Sequence, residues 1–172
     1  TGTTDLVYVG SKEIVIVFNQ AGNGFSAPTR IRSFPTQDAG STVSVLDLLG
    51  TGTACLVWSS PWRGVSQPPM RYIDLLNSKK PYLMTSVKNN MGAETKLEYA
   101  SSTKFYLDDL KAGKKWVTRL SFPVHVLART ETYDAVREAR FVSTYKYHHG
   151  YYDAPEREFR GFGLVEQLDA ES

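Results

Sequence analysis

The sequence predicts a mainly β fold, and three observations carry that prediction. Short runs rich in Val, Ile, Leu, Tyr and Trp recur along the 172 residues, and Gly, Asn and Pro clusters punctuate them. Only Ser102 to Gly113 combines helical spacing with a Ser/Thr start and a Gly stop. The expected architecture is a pair of partial propeller-type blades followed by an antiparallel β module with one short helix.

Leu6–Val9 and Ile14–Phe18 flank Gly10-Ser11-Lys12, which is turn chemistry between two paired strands. Ala21-Gly22-Asn23-Gly24 tolerates positive φ, and Thr29–Phe34 then alternates with period two toward Pro35. Thr42–Asp47 alternates as well, and Ala54–Trp58 is a continuous apolar run. The Pro/Gly/Ser-rich stretch 61–69 sustains neither helix nor ladder, so a module boundary is expected there, with a blade region at 1–60, a linker at 61–69 and a β-rich module at 70–172. In that module Met70–Asp74, Tyr82–Lys88 and Thr95–Tyr99 read as strands, the last entered through an Asn89–Gly92 turn. Phe122–Thr132 and Arg140–His149 are the longest strand candidates, joined by a charged bend at 133–138 and expected to pair antiparallel. Phe141, Ser143, Tyr145 and Tyr147 share one face of the second, which is expected to be buried, and Phe162–Leu168 is the last strand.

Gly2–Tyr8 set against Gly52–Trp58 shows an internal repeat at an offset of 50 residues, with Gly, Thr, Leu and Val coincident and an aromatic ending both. A period of about 40 to 50 residues with short strands suits a propeller blade, whose sheet needs neighbours on both faces. A plain β-sandwich with one chance similarity is the alternative. The chain opens Thr1-Gly2-Thr3 without a Met and enters a strand almost at once, so it reads as part of a longer polypeptide.

Composition narrows the functional classes. Twenty Lys+Arg against 18 Asp+Glu give a net charge of +2, which argues against a nucleic-acid track or a polybasic membrane anchor. The small groups Lys79-Lys80 and Lys111, Lys114, Lys115 are read as solvated surface. No apolar run approaches the roughly 18 residues of a membrane-spanning helix. The single cysteine, Cys55, cannot form an internal bridge, and in an apolar strand its thiol is expected to be inert.

His148, His149, Asp153 and Glu156 resemble metal ligands in type, but adjacent strand residues point to opposite faces, so the two imidazoles are not expected to converge. A glycosidase-type pair built from Glu156 and Glu158, near Asp153, competes with local ion pairing to Arg157 and Arg160. Asp108-Asp109 is read as a solvated helix face. The loop from Asp47 to Gly52 fails as a calcium loop, because Leu49 and Thr51 stand where oxygen ligands are needed. No Gly-x-Ser-x-Gly elbow occurs. The residues thus predict no catalytic, cofactor or metal site and no enzyme; an enzymatic reading would rest on His149, Asp153 and Glu156. A glycan- or receptor-binding module is the alternative, with Trp58, Trp62 and Tyr72 as stacking platforms.

Tyr145-Lys146-Tyr147-His148-His149-Gly150-Tyr151-Tyr152-Asp153, followed by Arg157-Glu158-Phe159-Arg160-Gly161-Phe162-Gly163, resembles the signature where the Rhs-type shell begins in B components of bacterial Tc (ABC) insecticidal toxins and SpvB-type virulence proteins. Gly2–Tyr8 and Asp47–Trp58 resemble their FG-GAP/VCBS-type propeller repeats, and Asn89–Tyr99 and Trp116–Pro123 fit the stretch between propeller and shell. The resemblance implies a secreted, non-enzymatic assembly module that leads from propeller into shell. Its implied partners are the pore-forming A component, the C component whose toxic segment the shell encloses, and adjoining domains of the same chain, with no nucleic acid, cofactor or direct membrane insertion.

Overall fold

The computed structural model describes residues 4–35, 40–61 and 68–171. Among them the fold is mainly β: three antiparallel sheets, none closed on itself, and one α-helix. No helix of the described residues is long and apolar enough to cross a membrane. Two compact units are present. The first comprises the chain up to Leu48 together with Thr53–Tyr82; the second comprises Leu49–Gly52 and the chain from Leu83 onward.

In the first unit, β1 (Leu6–Val9), β2 (Ile14–Val17) and β3 (Thr29–Ile31) form one three-stranded meander, and β4 (Thr42–Leu46), β5 (Cys55–Ser59) and β6 (Met70–Asp74) form another. The β1–β2 hairpin closes at the expected turn, where the Gly10 amide donates to the Glu13 carbonyl. The period-two pattern through Phe34 overstates β3, which ends at Ile31; Phe34 instead stacks on Trp58 with ring centroids 6.3 Å apart. Ile14 and Ile16 of one sheet meet Leu56 and Trp58 of the other, with Val9, Ile31, Val43, Ile73 and Leu75 packed around them. Burial of these side chains is worth about 1.5–3 kcal/mol each before the entropy of ordering is counted.

Of the stretch 61–69 expected as a linker, residues 62–67 lie outside the described residues. Ser59 is the register partner of Met70, and the Ser60 amide donates to the Pro69 carbonyl, so β6 belongs to the sheet of β5 and the chain divides at Tyr82/Leu83. The Gly2/Thr3 end of the repeat and Trp62 lie outside the described residues. Where the repeat can be followed, Leu6–Tyr8 falls on the edge strand β1, whereas Leu56–Trp58 falls on β5, which has a neighbour on each side.

The second unit is a five-stranded meander in the order β11-β10-β9-β8-β7, with β7 at Ser86–Lys88, β8 at Ala93–Ser101, β9 at His125–Asp134, β10 at Ala139–Asp153 and β11 at Glu158–Glu171. The expected Tyr82–Lys88 strand is trimmed to β7, since Tyr82 lies at φ 63. Asn89 closes the next turn by accepting from the amides of Met91 and Ala93. The charged bend narrows to 135–138, held by Asp134 accepting from the Val136 and Arg137 amides. Glu131, between Arg129 at 2.5 Å and Arg140 at 2.8 Å, anchors a cross-strand ion network that also reaches Glu98. Those two guanidiniums, Arg140 foremost, pull its carboxyl pKa down to about 2.

Candidate functional site: the helix docked on the signature hairpin

Helix α1 (Ser102–Lys111) forms where its boundary residues require. Ser101 is the N-cap, its hydroxyl accepting from the Thr103 amide at 3.3 Å while donating to the Gly50 carbonyl at 3.0 Å. Ala112 caps the other end, with Gly113 following at φ 77. The buried face consists of Ser102, Phe105 and Asp109; of the apolar residues that helical spacing picks out, Phe105 is buried, whereas Tyr106 and Leu110 are more than two-fifths exposed. The reading of Asp109 as solvated is therefore wrong: it is 8% exposed.

The carboxylate of Asp109 is met by two donors. His148 Nδ1 lies 2.5 Å from Oδ2, and Trp116 donates its indole N–H to the same oxygen at 2.6 Å. Burial alone would raise the Asp109 pKa, but these hydrogen bonds, with Lys114 nearby, outweigh it and hold the carboxyl below its ordinary range. An ionised Asp109 fixes the His148 tautomer with its proton on Nδ1. The Nε2 atom on the far side of the ring is buried without a hydrogen-bond partner, 3.8 Å from the Glu166 carboxylate.

The signature residues hold α1 and the segment after it against the β10–β11 hairpin. Tyr147 packs edge-on against Phe105, with centroids 5.5 Å apart, and donates its hydroxyl to the Leu127 carbonyl at 2.9 Å. His149, at φ 58, accepts the Val117 amide on Nδ1 at 3.2 Å. Thr118 donates to the Gly150 carbonyl at 3.0 Å. A Cβ on Gly150 would come within 2.9 Å of Leu120, 3.1 Å of Phe162 and 3.2 Å of Trp116, so only glycine admits this approach. Phe162 completes the cluster against Tyr147, Trp116 and Phe159.

The two imidazoles thus serve different partners, as their alternation on a strand requires. Asp153 lies within 3.8 Å of Arg160, and Glu158 pairs with the same Arg160 at 3.0 Å, while the Glu156 amide donates to Asp153. These acids hold the turn together and do not join His148 or His149; no cluster of three or more metal-type ligands occurs among the described residues. The aromatic face of β10, expected to be buried, is only half-buried at Ser143, Tyr145 and Tyr147, and Phe141 stays 38% exposed. Cys55 is fully buried, which raises its thiol pKa, with Asp74 adding to the effect. Trp58 is fully buried too, and that removes it as a glycan-stacking platform; Tyr72 is half-exposed. Gly52 of the Asp47 loop, at φ 78, has a packing reason: a Cβ there would run into the His125 ring.

The family described as the insecticide toxin TcdB middle/N-terminal region matches residues 18–172. This chain belongs to that family. As a TcdB middle/N-terminal chain it is also similar to solved structures, at 39% identity and over 99% of its length. One is a crystal structure of TcdB2-TccC3 without the hypervariable C-terminal region, with a TM-score of 0.82; another is the Photorhabdus luminescens Tc holotoxin pore, with a TM-score of 0.84. This TcdB-family chain spans 8% of the length of the chains it matches there. No curated protein matches it.

Proposed function

We propose that this chain is a structural and assembly module of a secreted toxin B component and has no catalytic role of its own. One observation carries the reading: 39% identity over 99% of the chain to structures that contain TcdB2 with TccC3. In this reading the first unit supplies propeller blades that contribute to docking on a pore-forming A component. The two face-packed meanders and the repeat support it, because β1 is the counterpart of β5 and leaves free the edge that β5 pairs with β4. The second unit begins the Rhs-type shell that encloses the toxic segment of the C component. Its support is a signature whose residues clamp a helix onto a long hairpin, which is scaffold chemistry.

The test is assembly. In the full-length protein, substitutions that loosen the signature, such as Gly150→Val, are expected to lower the yield of complex with the C component while binding of the A component persists. Size-exclusion chromatography with negative-stain imaging reads both. Complex formed at parental yield by a variant whose hairpin is shown to be loosened overturns the shell assignment.

A further inference from the structure

The ladder between β9 and β10 stops short although both strands continue. It runs from Asp134–Ala139 to Arg129–Thr144 and ends there. Beyond that point β9 stays paired with β8 as far as Ser101–His125, and β10 stays paired with β11 as far as Asp153–Glu158. The sheet therefore splits into two arms. Phe105 and Asp109 of α1 contact Tyr147 and His148 on one arm, and Phe105, His148 and Ala128 of the other arm line the same cavity. Tyr147 reaches across to the Leu127 carbonyl and satisfies it in place of a ladder amide.

The segment that fills the split is an excursion with its ends tied together. Ser102 donates its amide to the Val124 carbonyl at 2.8 Å, and the Val124 amide donates to the Ser102 hydroxyl at 3.0 Å. Residues 103–123 thus leave and re-enter the β8–β9 hairpin at one point, and the hairpin is closed without them. On the other side the excursion is held by polar contacts, Asp109 with His148, Val117 with His149 and Thr118 with Gly150, and by ring contacts of Phe105 with Tyr147, Trp116 with Phe162 and Phe122 with Tyr152.

The β8–β9 register shifts by one between Glu98 and Tyr99, skipping Ala128 at the point where the β9–β10 ladder ends, so further pairing must accommodate that bulge. Continued residue for residue, the β9–β10 alignment sets Ala128 against Tyr145, Leu127 against Lys146, Val126 against Tyr147 and His125 against His148, all residues with strand backbone on both sides. We propose that the 103–123 excursion is a wedge that holds this seam open, and that the seam zips toward His125–His148 when the wedge is released. The wedge thereby sets the splay of the sheet, a conformational device beyond the scaffold role itself.

A disulfide trap in the full-length protein tests it. Leu127→Cys with Lys146→Cys, in a Cys55→Ser background, places thiols on direct partners of the closed seam, where the bond geometry is met. With the wedge intact, crosslinking is expected to be slow. Asp109→Ala, or replacement of residues 103–123 by a short turn, is expected to speed it by about tenfold or more as the closed population grows. Hydrogen exchange on both variants, with β10–β11 amides still protected, certifies that the hairpins remain folded; Phe105→Ala serves as the milder release should either fail that check. Equal rates with and without the wedge, or no crosslink in any released variant, overturn the proposal.

Discussion

The two units bury different chemistry. The first is closed by Ile14, Ile16, Leu56 and Trp58, all apolar and all less than 7% exposed. In the second, the buried side chains of α1 and its partner strand are Ser102, Phe105, Asp109 and His148, three of them polar. An apolar interface tolerates small shifts, because dispersion and burial have no direction. A buried carboxylate held by an imidazole and an indole does not, since either donor lost leaves an uncompensated charge. The first unit is therefore organised by volume, the second by a few directed bonds.

The largest expected effect lies on the apolar side of that contrast. Trp58→Ala removes the fully buried ring between the two sheets and is expected to cost about 3–5 kcal/mol, read as a lowered denaturation midpoint of the first unit. Hydrogen exchange of α1 should stay unchanged if the units are organised separately. Asp109→Ala is expected to cost about 3 kcal/mol in the second unit, because it strands His148 and the Trp116 N–H. A loss as small as that of an exposed residue would erase the contrast. Gly150→Ala, by overpacking, is expected to cost about 1–3 kcal/mol and to release Trp116, which fluorescence of a variant carrying Trp58→Phe and Trp62→Phe can follow.

The pH responses are smaller and have a definite sign. A depressed carboxyl pKa contributes stability that is complete above the ordinary range and is lost as the pH falls through the folded value. Asp109 should therefore hold α1 at neutral pH and release it only in acid, and Asp109→Asn should flatten that response. Glu131 should titrate by NMR near 2, and Arg140→Gln should move its midpoint toward the ordinary value of 4.5. A Glu131 midpoint already near 4.5 in the parent would mean that the cross-strand network is not formed.

The same contrast explains what the sequence made legible. Strand periodicity and turn residues are local, so the β1–β2 hairpin, β4, β5 and β6, the Asn89 turn and both ends of α1 can be read from neighbouring residues. Asp109 cannot: its partners are 7 and 39 positions away, and nothing in a Leu-Asp-Asp-Leu stretch distinguishes a buried acid from a solvated one. The helix also departs from the usual rule, burying Phe105 together with polar Ser102 and Asp109 while Tyr106 and Leu110 stay exposed, so helical spacing of apolar residues located only part of the buried face. At 61–69, composition announced irregular backbone but could not say whether the flanking strands were partners. The signature around Gly150 was visible as a pattern, yet its meaning depends on Trp116 and Leu120, which sequence spacing alone does not bring near.

The order β11-β10-β9-β8-β7 has a kinetic consequence. Each strand of the second unit pairs with the strand just before or after it in the chain, and only the β8–β9 pairing waits for an intervening segment, α1 and the residues that follow it. Such a sheet can grow vectorially as the polypeptide leaves the ribosome, with each new hairpin templated by the last. This early commitment keeps nascent strand edges from lingering where they could aggregate.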